Sequence, residues 1–375
     1  GGKRYWFESW KRQGYNPYDS SYRGKEIYDP ASDAWYWLDN IQNGAMAASK
    51  DVYQESNGGK WVRYDENGHM VKGWDVSENG TYYFDQITGA MAKGALLLDD
   101  VQYGFDPIMG TMLDCQWLHT EVGDYWYEGG IRQGTEGRGK EIYDLASDAW
   151  YWLDAVDNGK KAVSKDVYQE SDGGKWVRYD ENGHMIKGEN CQNGNWYYFE
   201  PVTGAMIHGP WTLPDGRKVY YDLTTGIMQY GNVSINGSLY YFDPVYGTMK
   251  SGALTNFWVT DGNGKSFWYE SWVRQGWQPG SSNYRGKEIY DPASGAWYWL
   301  DNVQQGAKAT SKEVYQDSNG GKWVRYDANG HMIKGWYTQD GKTWYYDLTT
   351  GAMYKGWHTI EGSTYHFDET TGVKG

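Results

Sequence analysis

The stretch Glu26-Ile27-Tyr28-Asp29-Pro30-Ala31-Ser32-Asp33-Ala34-Trp35-Tyr36-Trp37-Leu38-Asp39 returns with a single change at 141–154 and again at 288–301. Each copy is followed by Lys-Asp/Glu-Val-Tyr-Gln, then by Gly-Gly-Lys-Trp-Val-Arg-Tyr-Asp and Asn-Gly-His-Met. Three long cassettes therefore start near residues 3, 124 and 266. Self-similarity at a fixed spacing marks a repeat array, in which each unit buries its apolar face only against its neighbours.

A smaller unit runs through the cassettes and between them. It is an aromatic cluster ending in an acid, a short turn, and Gly-x-Met, as in Tyr82-Tyr83-Phe84-Asp85 with Gly89-Ala90-Met91. The apolar residue before the acid recurs from Phe7 to Phe367, at steps as short as 20 residues (Tyr64 to Phe84) and as long as 31 (Tyr269 to Leu300). No gap is left for a separate globular domain. The reading is one continuous array over 1–375, divided as 3–123, 124–265 and 266–375. Clusters such as Trp-Tyr-Tyr-Phe alternate faces with period two, as strands do. The acid and glycines supply turn chemistry, and the residues around Gly-Ala-Met are expected to form the return strand of a hairpin. An isolated hairpin is marginal in water, so the units must stack. The longer steps carry an insertion between Arg12 and Arg23, and between Arg274 and Arg285, that shrinks between Arg132 and Arg138. Such length variation with intact flanks marks a surface loop.

Composition agrees. The 375 residues include 23 Trp, 36 Tyr and 51 Gly, while only 39% are hydrophobic, so flat aromatic rings supply much of the apolar surface. A formal net charge of -14 is the wrong sign for a nucleic-acid binder and suits a cationic ligand, a neutral sugar or a protein. No apolar run approaches the ~18 residues of a membrane-spanning helix, so no membrane insertion is expected. Cys115 and Cys191 make no disulfide framework and are expected to be unpaired. The chain opens Gly1-Gly2 without Met or signal peptide, and is read as an excised fragment lacking its targeting sequences.

The pattern Gly335-Trp336, Trp344-Tyr345-Tyr346, Gly351-Ala352-Met353 and Gly356-Trp357 resembles the cell-wall-binding repeat of Gram-positive surface proteins. That family includes choline-binding modules, glucan-binding repeats of streptococcal glucansucrases and repetitive oligopeptide domains of clostridial toxins. The long cassettes resemble a variant found in surface proteins of gut clostridia and their relatives. The resemblance implies an all-β fold, a β-solenoid of tandem hairpins with about three per superhelical turn and ligand sites between consecutive hairpins. Carried over residue by residue, a choline-type cage takes Trp336, Trp344, Tyr345, Met353, Trp357 and Tyr365, with Trp74 and Tyr82 as further candidates. After Gly94, Gly188, Gly231 and Gly252 the Trp is replaced by Ala95, Glu189, Asn232 and Ala253, which removes a wall.

Other polar residues fit structural roles better. The acid after each aromatic cluster (Asp65, Asp85, Asp347) recurs at hairpin after hairpin, as a turn residue would, whereas a glycosidase needs one unequal pair in one cleft. His69, His184 and His331 sit at one equivalent position per cassette, with no convergent ligands nearby. The run Asp29, Asp33, Asp39 lacks the spacing of a calcium loop, and its middle position is Gly295 in the third cassette. The repeated Arg23-Gly24-Lys25-Glu26-Ile27-Tyr28 is either an adhesive face or a segment packing on its own hairpin. No enzyme activity and no cofactor are expected. The expected function is a secreted, surface-associated attachment module for a cell-wall polysaccharide, a choline-bearing polymer or a glucan. A host-protein adhesin using the repeated cassette face, and a structural spacer, are the alternatives.

Overall fold

The computed structural model describes residues 2–55, 58–170, 173–252, 256–317 and 320–375, so Ala253 lies outside the described residues. The chain forms two compact units, Gly1–Ala162 and Val163–Gly375. Each is all-β, built of antiparallel hairpins, and the described helical segments are single 3₁₀ turns. In the first unit Gly73–Ser77 pairs with Gly80–Phe84 and Gly94–Leu98 with Val101–Phe105. In the second, Gly335–Gln339 pairs with Lys342–Tyr346 and Gly356–Ile360 with Ser363–Phe367.

The hairpin turn precedes the aromatic cluster instead of following it. In Gly73–Phe84 the chain reverses at Glu78-Asn79, and Tyr82-Tyr83-Phe84 is the second strand. Gly-Ala-Met is therefore not the return strand expected from the sequence. Met91 forms one bridge to Phe84, and its N–H donates to the carbonyl of Trp61 in the hairpin before, at 2.8 Å. The reason is the acid. Asp85 accepts from the N–H groups of Ile87 and Thr88 and from the Thr88 hydroxyl, and so closes a tight loop that carries the chain to its neighbour. Met112, Met228 and Met353 make the same tie to Thr81, Trp196 and Trp323.

This tie explains the Gly-x-Met spacing. Gly89 has φ +66°, and a Cβ there would lie 2.4 Å from the sulfur of Met70, one repeat earlier. Met91, Met112 and Met353 lie likewise over Gly110, Gly130 and Gly372 of the next repeat, where only the absence of a side chain leaves room. From Leu38 onward the recurring apolar anchors lie at or next to the end of the second strands and form the core, whereas Phe7 is exposed. Tyr64, Phe84, Phe105, Tyr127 and Leu153 in the first unit, and Tyr179, Tyr221, Tyr269, Tyr326 and Phe367 in the second, are fully buried.

The cassettes add one local device. Asp39, Asp154 and Asp301 cap the 3₁₀ turns Asn40–Gln42, Ala155–Asp157 and Asn302–Gln304 by accepting from the N–H two residues on. The repeated Gly24–Asp29, Gly139–Asp144 and Gly286–Asp291 are first strands paired with the Ala-Trp-Tyr-Trp-Leu-Asp segments, with Tyr28, Tyr143 and Tyr290 left exposed. Cys115 and Cys191 are both free and exposed.

Candidate ligand sites between hairpins

The Trp after a strand-opening Gly faces an aromatic partner directly across its own hairpin, and a tyrosine from the next hairpin closes the third side. Trp74 lies 5.1 Å from Tyr83 and 5.0 Å from Tyr103, both edge-on. Trp336 stands likewise 4.9 Å from Tyr345 and 5.0 Å from Tyr365. The cassettes build the same box from Trp117, Trp126 and Tyr151, and from Trp258, Trp268 and Tyr298. Trp74 and Trp336 remain 44% and 43% exposed while Tyr83 and Tyr345 are buried, so one ring face of each box meets solvent. An aromatic box of this kind attracts cations through the ring quadrupoles.

Of the sequence-selected residues, Trp336, Tyr345 and Tyr365 come together. Trp344 turns to the other side of its hairpin, 6.0 Å from Tyr337, and its indole N–H donates to the Thr371 carbonyl at 2.9 Å. Met353 lies over Gly372. Trp357 is 72% exposed and pairs with His366 at 4.8 Å. Trp74 lies in a box of its own, but Tyr82 does not share it. Tyr82 is buried under Arg63, whose guanidinium carbon is 4.0 Å from the ring centroid.

Arg63 shows what the sequence reading missed. In the Trp-Val-Arg-Tyr strand the arginine holds the place taken by Tyr83 in the next hairpin, and its ion-pair partner Asp51 holds that of Trp74. Arg178 over Tyr197 with Asp166 repeats the arrangement, whereas Arg325, paired with Glu313, lies nearer Tyr337, which stands in the place of Asp75, than Trp344, which stands in the place of Tyr82. Here the cassette fills the box with its own cation. The available signal was the acid-for-Trp and Arg-for-Tyr exchange at equivalent positions, visible only once the register is known.

A second kind of site occurs in the first and third cassettes. A groove of 370 Å³ is lined by Glu26, Trp35, Lys60, Met70, Thr88 and Ala90. The corresponding Glu288, Trp297, Lys322, Met332, Thr350 and Ala352 line one of 560 Å³. Glu26 accepts from Gln54 and from the Tyr64 hydroxyl, which fixes its carboxylate at the groove wall. Burial and that carboxylate push the Tyr64 phenol up. A half-exposed indole face beside a fixed carboxylate and a lysine suits a hydroxylated ring, which stacks its C–H face and hydrogen-bonds at its rim.

The other polar residues singled out in the sequence have partners within their own repeats. Hydrogen bonds from the Thr88 N–H and then its hydroxyl hold the Asp85 carboxyl below its usual range, and Asp347 is held down in the same way by Thr350. His69 and His331 pack edge-on against Tyr36 and Tyr298. Asp29 accepts from Ala31 and Ser32, Asp33 from the Tyr28 hydroxyl, and Asp39 from Ile41 and Lys50, so the three do not converge.

Residues 55–112, 170–211 and 316–356 match the profile of the choline-binding repeat. These three segments are choline-binding repeats. Distant similarity extends to glucosyltransferases. Glucosyltransferase-I of Streptococcus downei is 26% identical over 326 residues, 79% of this chain and 19% of that protein. Glucosyltransferase-S of Streptococcus mutans is 24% identical over 196 residues, 48% of this chain and 13% of that protein. The chain thus spans less than a fifth of these relatives. Among solved structures, the modular autolysin LytC of Streptococcus pneumoniae is 22% identical, covers 61% of this chain and 48% of its own, and gives a TM-score of 0.38. Choline binding protein F of the same organism is 18% identical over 87% of this chain and 93% of its own, with a TM-score of 0.27. The two glucosyltransferase relatives are streptococcal, and a gut-clostridial source is not supported.

Proposed function

We propose that these choline-binding repeats form a non-catalytic attachment module that binds a cell-wall polymer or carbohydrate through aromatic sites between hairpins. In this reading the module tethers a larger secreted protein to a bacterial surface or a glycan. The observation that carries it is the box of Trp74, Tyr83 and Tyr103: three converging rings with one face in solvent. The position next to it is occupied by the uncharged Met112, bridged to Phe105. That arrangement suits a quaternary ammonium such as the choline of a cell-wall polymer. The Trp35 and Trp297 grooves suit the glycan part of such a polymer or a glucan. The ties from Gly-x-Met segments to the hairpin before them, such as Met91 to Trp61 and Met353 to Trp323, support tandem stacking of the hairpins, which we read as a β-solenoid with about three hairpins per turn and as one array of three cassettes, 3–123, 124–265 and 266–375. The test is calorimetric titration of choline and of α-glucan oligosaccharides into the wild type and Trp74→Ala. Binding of choline weakened by the substitution supports the reading; a wild type that takes up neither ligand at millimolar concentration removes it.

One observation favours the adhesin alternative. Each cassette carries two cross-strand Tyr–Trp pairs, such as Tyr28–Trp35 and Tyr53–Trp61 in the first and Tyr290–Trp297 and Tyr315–Trp323 in the third, each ring 38–46% exposed. A host protein binding this repeated surface would be lost on replacing the tyrosines with serine, while choline binding at Trp74 is kept.

A further inference from the structure

Three of the four aromatic boxes already hold a cation, and it belongs to the chain. Lys308 Nζ stands 5.5 Å from the ring centroid of Trp258 and 5.6 Å from that of Tyr298. Lys161 takes the same place over Trp117 and Tyr151, at 5.4 and 5.7 Å, and Lys374 over Trp336 and Tyr365, at 5.4 and 4.7 Å. All three occupy the backbone position that is methionine elsewhere. Lys308 pairs with Leu300, Lys161 with Leu153 and Lys374 with Phe367, as Met112 pairs with Phe105 at the Trp74 box.

The lysine stem follows the path of methionine. Cγ and Cδ of Lys308 lie 2.8 Å from where a Cβ on Gly330 would be, and Sδ and Cε of Met46 lie 2.7 Å from the same point on Gly68. Lysine is one heavy atom longer, and that atom carries the charge to the rings. Lys161 also pairs with Asp124 at 2.7 Å. At Lys308 the matching residue of the facing strand is Ser266, and among the described residues no carboxylate lies within ion-pair distance. The rings are the counterpart of its charge.

We propose that Lys308 is a built-in occupant of the Trp258–Trp268–Tyr298 box, with Lys161 and Lys374 in the same role. The choice of Met or Lys at this one position then decides whether a box takes an external quaternary ammonium. The proposal rests on the reading of the boxes as ligand sites. A tethered ammonium is present at high effective concentration, and each ring contributes only weakly, so a free ammonium at ordinary concentration does not displace it.

The test uses the full chain. Choline and tetramethylammonium are titrated by calorimetry into the wild type, Lys308→Met and Met112→Lys, and the side-chain protons of Lys308 are read by NMR in lysine-labelled protein. The expected results are an upfield ring-current shift of the Lys308 ε-protons, one more site in Lys308→Met and loss of the Trp74-box site in Met112→Lys. Lys308→Gln repeats the gain-of-site arm if the methionine variant does not fold. The proposal is overturned by a Lys308 signal at its solvent position, or by unchanged stoichiometry in Lys308→Met when the wild type binds choline at Trp74. A wild type that takes up no choline removes the ligand reading instead, and the Lys308 shift then still decides whether the ammonium sits in the box.

Discussion

Arg63 stands over the ring of Tyr82 at 4.0 Å while its Nε and Nη2 bond Asp51 at 2.7 and 3.0 Å and its Nη1 bonds Asp75 at 2.7 Å. Asp51 and Asp75 keep the guanidinium more firmly protonated than usual, against the opposing effect of burial. A box that elsewhere presents rings to solvent is here a closed ion pair. The planar fork makes this contact, and an ammonium would not.

Replacing Arg63 by Ala is expected to cost about 1.5–3 kcal/mol of stability, the worth of a charge-assisted hydrogen-bonded pair plus a cation–π contact. Arg63→Lys should recover only part of it. Urea unfolding measures both, and an Arg63→Ala variant as stable as the wild type would show that the pair is ornamental.

The two kinds of site should separate by ligand. Trp74→Ala is expected to weaken choline binding by about 0.5–2 kcal/mol, the worth of one wall, and to leave oligosaccharide binding unchanged. Trp297→Ala should do the reverse. Trp344→Ala should affect stability more than either ligand, because its ring packs on Tyr337 and its N–H is tied to Thr371. Parallel calorimetry on the three variants checks this; equal losses of both ligands in Trp74→Ala would merge the sites into one.

Glycines at the repeat junctions should differ from those at hairpin tips. Gly194 has φ +78° and open space around a future Cβ, so Gly194→Ala is expected to cost about 1 kcal/mol, the left-handed backbone strain alone. Gly89→Ala adds a collision with the Met70 sulfur and should cost about 2–4 kcal/mol. Thermal unfolding of the pair decides, and similar losses would mean that Met70 moves aside freely.

His208 couples stability of the second unit to pH. Burial lowers its pKa, opposed by a hydrogen bond to the Asp222 carbonyl, with Arg274 lowering it further and Asp261 and Asp222 opposing. The unfolded state therefore binds the proton more readily than the folded state. This contribution is complete above the ordinary histidine value of ~6.5 and is lost as pH falls below it through the depressed folded value. His208→Gln should flatten the stability profile between about pH 5 and 7. Denaturation at several pH values reads the slope, and an unchanged slope would assign the effect to other groups.

Much of the architecture was legible in the letters. The anchors from Leu38 to Phe367 are buried core and only the first, Phe7, is exposed, because alternation along a strand and spacing between repeats both follow from sequence alone. Less of the site was legible. The match of Trp336 with Tyr345 depends on register within one hairpin, and the exclusion of Trp344 follows from the alternation that sends it and Tyr345 to opposite faces, but the convergence of Tyr365 and the cation over Tyr82 depend on how neighbouring hairpins face each other. The reversal at Glu78-Asn79 was also hidden, since Asp85 carries equally good turn chemistry.

Two turns mark the boundary most sharply. Glu8-Ser9-Trp10 and Glu270-Ser271-Trp272 have the same letters, and both fold into the same left-handed bend, with φ +48° and +66° in the first and +49° and +75° in the second. Sequence by itself determined that much, because local backbone sterics and hydrogen bonds are settled within a few residues. Yet Trp10 is 98% exposed and Trp272 fully buried against Tyr240, Phe242 and Phe257, its indole N–H donating to the Val219 carbonyl at 3.1 Å. Whether such a ring becomes core or surface was decided only by the tertiary structure, since burial is a property of what packs beside a residue and not of the residue itself.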